Sequence, residues 1–415
     1  MHTRRHRFYH VLASPELGGG ELVALHLAQS LRERTQDSRV WIPGDGPARR
    51  MAEALGLPTS LYPAHQLFRA STVQALAGTV RTWLRLQPHR LNLIHVHAPQ
   101  HYGALRQALQ LSRAKSVVHV HLEPGERELQ WAFQTPPDLI LTCGRFLEPL
   151  VRAQLPEDSQ QWQRIVAVPN AVDTRRFFPG NRAAAKRCVG APSHRPLALM
   201  LANLAPNKGQ ETAIRATAVL RRAGVDLMLW LAGVERRGLC HYTGTLRALC
   251  RDVGVADRVT FLGHRDDAPD LLRAADVLLL PSTHEGLPLC VLEAQATKVP
   301  VLAAPTASIP EVIAEGATGF LIPAADAATY AQRIHCLLRY PALLHRITEH
   351  AYTQILTAHS WAGYIDQIWS LYHELLTPTP LIGEGQPAHE GCATGKTVGA
   401  MDASGCSQQT TAACR

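Results

Sequence analysis

Two glutamates eight residues apart carry the strongest chemical signal in the chain. Glu285 lies in the loop PSTHEGLP, directly after the apolar run VLLL, and Glu293 follows in LCVLE, a turn or more into the helix that begins there. That spacing directs Glu285 into the cleft bordered by the loop. It lets Glu293 accept hydrogen bonds from vicinal hydroxyls, such as those of a ribose. Backbone N–H groups around Gly286, Leu287 and Leu289, at the start of the helix, can hold a phosphate or a sugar hydroxyl. A helical pair of carboxylates is more commonly just solvated, so on spacing and position alone this pair carries little weight.

Other candidates sit at similar strand ends. Gly18-Gly19-Gly20-Glu21 falls between a first strand and a first helix, where glycines admit a ligand close to backbone N–H groups. It is not GxGxxG, so a tight structural turn is an equal reading. His121 closes the run SVVHVH, and a strand's carboxyl end is where doubly wound sheets place ligands. Its neighbour His119 is expected to face away from it. His95 and His97 repeat the H-x-H pattern one strand earlier. Two H-x-H strands can in principle form a metal site, but no carboxylate or cysteine accompanies these four at matching positions, so none is expected.

Positioning such residues requires alternating strands and helices. Short apolar runs at 8–13, 40–42, 91–96, 116–121, 139–142 and 165–168 are separated by helical patterns, and a second series follows at 197–202, 227–232, 259–262, 277–280, 299–303 and 319–322. This predicts βαβ units with buried parallel sheets, an α/β fold of two Rossmann-like domains facing across a cleft. The polar, strandless stretch 173–196 reads as a linker. The expected organisation is a first domain over 1–178, a linker over 179–196, a second domain over 197–358, a last helix over 359–376 with Ser360 as N-cap, and a disordered tail over 377–415.

Composition narrows the classes. The 415 residues are 46% hydrophobic and 18% charged, which excludes a disordered chain. No run of about 20 apolar residues exists, so a spanning helix is excluded, and the short apolar run after the basic start does not make a secretory leader. Nine cysteines without a CxxC pair fit free thiols in a reducing compartment, hence a cytoplasmic protein. The net charge of +8 is concentrated in the first half, with 21 basic against 14 acidic residues up to Phe178. Charge alone leaves anionic lipid, nucleic acid and anionic substrates open as partners. Arg81, Trp83, Arg85 and Arg90 mix basic and aromatic character on an expected helix. They suggest a peripheral contact with an anionic membrane, against the alternative of an ordinary amphipathic helix.

Several blocks in order resemble glycosyltransferase family 4, the retaining nucleotide-sugar transferases with the two-Rossmann GT-B fold. Glu285 and Glu293 match its E-x7-E signature. VTFLGHRDDAPDLLRAADVLLLPS, VPNAVDTRRFFP and PEVIAEGATGFLI resemble the stretches around it, and the helix with Trp361 is similar to one that crosses back to the first domain. The resemblance runs from about residue 8 to 376. It implies transfer of a sugar from a nucleotide diphosphate sugar, with retained configuration and no required metal or cofactor. The acceptor would be a glycan or a lipid-linked molecule, as in cell-surface polysaccharide or glycolipid synthesis, and not nucleic acid. It implies Glu293 on the ribose, Glu285 at the sugar, Lys208 on the diphosphate, Gly19 and Gly20 closing over it, and His121 near the reacting sugar.

The chain departs from the family in three places. Where the family carries an Arg five positions before Lys208, this sequence has Asn203, and Arg236, Arg237 and Arg265 are candidate substitutes. Ala307-Ser308 replaces a glycine pair, and Lys298 replaces a glycine. Glu311 keeps its place, as a helix cap or a donor contact, and Asp266-Asp267 reads as a loop and not a metal motif. Alternatives of other kinds are an epimerase or hydrolase of the same fold and a sugar-binding scaffold weak in catalysis, the latter made plausible by Asn203.

Overall fold

The computed structural model describes residues 6–35, 37–62, 82, 92–155, 164–235, 239 and 241–377. The basic-aromatic segment with Arg81, Trp83, Arg85 and Arg90, the candidates Arg236 and Arg237, and the tail beyond residue 377 lie outside these. Among the described residues no helix is long and apolar enough to cross a membrane.

In the first half the order is β1 (Arg7–Val11), α1 (Gly19–Thr35), β2 (Ser38–Ile42), α2 (Pro47–Ala54), β3 (Thr59–Leu61), β4 (Asn92–Val96), α3 (Pro99–Ser112), β5 (Lys115–Val120), α4 (Glu126–Ala132), β6 (Leu139–Thr142), α5 (Leu147–Arg152) and β7 (Ile165–Ala167). The seven strands form one sheet in the order β3-β2-β1-β4-β5-β6-β7, with every pairing parallel. The second half continues with α6 (Arg182–Val189), β8 (Leu197–Leu201), α7 (Gln210–Arg222), β9 (Met228–Ala232), α8 (Tyr242–Asp252), β10 (Val259–Gly263), α9 (Ala268–Ala274), β11 (Val277–Leu280), α10 (Leu289–Ala296), β12 (Val301–Ala303), α11 (Ile309–Val312), β13 (Phe320–Leu321), α12 (Ala327–Arg339), α13 (Pro341–Ala358) and α14 (Trp361–Leu376). Its sheet runs β10-β9-β8-β11-β12-β13, again all parallel.

Both sheets reverse direction at one point, between β1 and β4 in the first and between β8 and β11 in the second. Ligands of doubly wound sheets bind outside the carboxyl ends of the strands at such a point. The strands themselves are apolar on both faces, as VLLL of β11 is, because helices cover each side.

Three elements differ from the sequence reading. β3 has only three residues, two of them exposed, too little apolar pattern to register as a strand. The stretch read as a linker contains α6, capped by Asn181, whose side chain accepts from Ala184 N–H, and closed by Gly190 at φ 75°. Lys186 on α6 is buried and its Nζ donates to Asp276 at 2.8 Å, which fixes this helix to the base of the second sheet. The strand β5 ends at Val120, so His121 is the first residue beyond it.

Helix α14 packs on the first sheet. Ser360 caps it by accepting from Gly363 N–H. Tyr364, Ile365, Ile368 and Tyr372 are buried in one cluster with Phe8, Val23 and Leu27, and the rings of Phe8 and Tyr372 stack at 5.5 Å. Each such side chain contributes about 1.5–3 kcal/mol by burial, as an upper estimate. The helix therefore ties the end of the described chain to its beginning.

Candidate active site

A cavity of about 800 Å³ opens where the carboxyl ends of the two sheets meet. Its wall brings together residues far apart in sequence: the Gly18–Gly20 loop after β1, His97 after β4, His121 after β5, Asn203 and Lys208 after β8, and the Glu285–Leu289 loop after β11. Glu285 is buried, and Lys208 Nζ donates to its Oε1 at 2.7 Å. Lys208 is held by the tight turn Pro206–Lys208, which ends on Gly209 at φ 74°. A Cβ at Gly209 would lie 2.1 Å from the Pro281 carbonyl oxygen, so only glycine permits this close pass beneath β11. Among the described lining residues Lys208 is the one permanent cation.

Gly18, Gly19 and Gly20 lie on the cavity wall. Gly19 faces Leu289 across the cleft, and Gly20 packs against the His121 ring. Gly18 N–H, however, donates to the Glu21 carboxylate at 3.2 Å, so one donor of this loop is already engaged by its own helix. Burial raises the Glu21 carboxyl above its ordinary range. Asn203 is exposed on the cavity wall, and its carbonyl oxygen accepts from Gln210 Nε2.

Glu293 is the one member of the predicted set absent from the cavity wall. It sits half-buried on α10, in the turn behind the loop. Burial pushes its carboxyl up to about 7, and nearby Arg176 opposes that rise. Of the substitutes proposed for the missing arginine, Arg265 is engaged by Asp267 through two N–H groups, one of them Nε at 2.7 Å. That ion pair also accounts for Asp267 without a metal.

Backbone contacts close the cleft between the two sheets. Leu122 and Gly286 form an antiparallel bridge, and a Cβ on Gly286 would meet the His121 carbonyl oxygen at 1.9 Å. Asn170 Nδ2 donates to the Leu287 carbonyl at 2.7 Å. Glu311 accepts from the N–H groups of Arg145 and Phe146, at 2.9 and 2.8 Å, so it caps the first turn leading to α5 across the cleft. Ala307 and Lys298, where the family carries glycine, both have left-handed backbone, φ 46° and 57°. Lys298 forms an ion pair with Glu349 at 2.6 Å.

The histidines overturn one expectation. His119 does not face away from His121: their rings stack at 4.0 Å, because residues i and i+2 of a strand share a face. His97 and His95 lie on the same side, and His10 of β1 joins them, a residue that the sequence reading passed over. Only its place near the carboxyl end of the first strand could have signalled it. Burial holds all five neutral, with His10 at about 3 and His121 at about 4. Cys143 behind them is likewise buried, its thiol pushed up to about 12.

Two doubly wound domains that place a Lys–Glu pair and glycine loops at facing switch points have the GT-B fold. Two family models match in succession, "Glycosyltransferase Family 4" over residues 17–176 and "Glycosyl transferases group 1" over residues 181–354. The chain belongs to glycosyltransferase family 4. It is 34% identical over 218 residues to D-inositol 3-phosphate glycosyltransferase of Mycolicibacterium smegmatis, spanning 52% of this chain and 48% of the relative. Against the protein of that name from Streptomyces avermitilis it is 30% identical over 297 residues, 65% of this chain and 62% of the relative. The chain thus aligns with about half the length of the first of these relatives. Among solved structures, Anabaena HepE in complex with UDP and glucose superposes with a TM-score of 0.78 at 19% identity, over 88% of this chain and 99% of that one.

Proposed function

We propose that this chain is a retaining glycosyltransferase that moves a sugar from a nucleotide diphosphate sugar to a glycan or lipid-linked acceptor. The observation that carries the reading is the pair of half-buried Lys208 and buried Glu285 on the wall of the cavity where the strand order of both sheets reverses. A lone buried carboxylate would be expensive, and the pair makes it tolerable until a ligand arrives. The ammonium has three donors and uses one on Glu285 here, so it can also meet a diphosphate oxygen. Glu285 would then accept from sugar hydroxyls, and Glu293, once deprotonated, from the ribose.

In the proposed reaction the bond from the anomeric carbon to the phosphate oxygen breaks and its electron pair leaves on the nucleoside diphosphate. The acceptor hydroxyl bonds to the same face of the sugar, and its proton passes to the departing phosphate. Lys208 and backbone N–H groups at the start of α10 would stabilise the developing phosphate charge, an electrostatic contribution fixed before the reaction starts. Gly19, Gly20, Asn203, Gly286, Leu287 and Leu289 line the proposed donor site, Glu293 stands behind its wall on α10, and His121 is placed on the acceptor side of the sugar. No metal takes part in these steps.

The UDP and UDP-glucose complexes of HepE support a uridine nucleotide as the first donor to try. The relatives' name supports including D-inositol 3-phosphate among the acceptors. The excess positive charge of the first half supports contact with an anionic membrane surface and a role in cell-surface glycan or glycolipid synthesis. Unchanged vesicle binding after neutralising Arg81, Arg85 and Arg90 would refute the membrane contact. A panel of nucleotide sugars tests the activity itself. Released nucleoside diphosphate with a glycosylated acceptor supports transfer, an altered free sugar nucleotide supports an epimerase, and binding without turnover supports a scaffold.

A further inference from the structure

We propose that His97, His119 and His121 form a binding site for one divalent transition-metal ion of the zinc class, at the inner wall of the cleft. The three offer ring nitrogens that lie within 4.8 Å of one another. His97 Nδ1 and His121 Nε2 are already 3.1 Å apart, close to the ~3.3 Å that two ligands span on a tetrahedral ion with bonds of about 2.05 Å. Three imidazoles with one open position make a common zinc ligand set, and imidazole also suits copper and nickel.

Unsatisfied polar atoms give independent support. A neutral imidazole carries one N–H and one lone pair. His119 is fully buried, yet neither of its ring nitrogens has a hydrogen-bond partner, and His121 Nδ1 is also unpartnered. Buried polar atoms are rarely left so, and an ion held by His97 Nδ1 and His121 Nε2 would take up one nitrogen of His119. The surroundings suit a ligand set. His97 turns its other nitrogen, Nε2, to His10 Nδ1 at 3.3 Å, the outer contact that fixes the ring of a metal-binding histidine. His95 stacks on His119 with planes 8° apart and is itself anchored by the Tyr372 hydroxyl. His97 and His121 border the cavity, which gives an ion a route in.

The site does not depend on the transferase reading, because its test reads metal binding alone. Tag-free full-length chain is titrated with Zn²⁺ against a chromophoric chelator, and with Co²⁺ by visible absorption. The expected result is one tight ion per chain and the intense visible bands of low-coordinate Co²⁺. His121→Gln, at the cavity border, and His119→Gln, in the core, should each weaken Zn²⁺ by at least about 100-fold, more than losing a supporting contact costs. His350→Gln, on an exposed surface, should change nothing. Folded wild type that holds no tight ion would overturn the proposal, whatever the variants do. So would His121→Gln with unchanged affinity, and loss in His10→Gln alone would move the ion to His10, His95 and His97 instead.

Discussion

Replacing Glu293 by Gln should make the protein more stable and a worse nucleotide binder, with the stability gain set by pH. The carboxyl is lifted by burial from 4.5 to about 7. The folded state therefore holds a proton that the unfolded state releases between these values, and the wild type loses stability as pH rises through that window. At 1.36 kcal/mol per unit, the full penalty is about 3 kcal/mol above pH 7 and close to zero near pH 4.5. A neutral amide carries no such penalty. Thermal melts of Glu293→Gln and wild type, from pH 5 to 8.5, should diverge with pH and level off above about 7.5. At about 2–4 °C per kcal/mol for a domain of this size, the plateau gain is roughly 6–12 °C. Nucleotide affinity should fall by about 10- to 150-fold, from losing charged hydrogen bonds worth roughly 1.5–3 kcal/mol. In the wild type that affinity should itself decline as pH drops below about 7, where the carboxyl is protonated. A gain independent of pH, or a destabilised variant with normal affinity, would refute the buried-carboxylate argument and the ribose role together.

The other predictions follow from contacts already described. Lys208→Ala should lower kcat by about 10²–10³ with a smaller change in donor KM, as measured by steady-state kinetics, because it removes charge stabilisation of the leaving phosphate. Gly286→Ala should break the Leu122–Gly286 bridge, since its methyl meets the His121 carbonyl, and hydrogen exchange should show loss of protection on both strands of that bridge. Ala307→Gly should raise stability by about 0.5–1 kcal/mol in chemical denaturation, because it relieves a left-handed alanine. Exhaustive chelation should leave the transfer rate undiminished, which a standard assay with and without EDTA decides.

The fold was readable where strands are apolar on both faces and flanked by glycine or proline. Runs such as VLLL at β11 and LMLWLA at β9 admit few other structures. It was less readable where burial is slight, as at β3, or where a short helix hides in a polar stretch, as at α6. There the signals existed: Asn181 to cap, three alanines, Gly190 to close. Reading 173–196 by composition alone passed over them. At the site, Glu285 and Lys208 could be placed because each follows a strand end, and sheet topology carries strand ends to one place. The Glu311 cap, the Asn170–Leu287 bond and the histidine cluster were not readable, since each depends on which distant loops meet. His119 is a different case, because pleat geometry alone puts it on the side of His121.

The closed cleft has a physical logic that separates scaffold from chemistry. Several contacts joining the two domains use backbone groups or neutral side chains; the charged ones include Glu311, Arg176, which donates to the Asp266 carbonyl, and Arg273, which lies over the Phe178 ring. The charged pair Lys208–Glu285 belongs wholly to the second domain. Among the described residues no ion pair joins residues 1–178 to 197–358, so the cost of opening the cleft should depend only weakly on salt. Donor binding should depend on salt more strongly, because it brings a diphosphate to Lys208. Measuring both over a range of ionic strength distinguishes the two. If melting fell as steeply with salt as nucleotide affinity, the charge that holds the cleft and the charge that holds the donor would be the same, and the assignment of Lys208 to the ligand would be wrong.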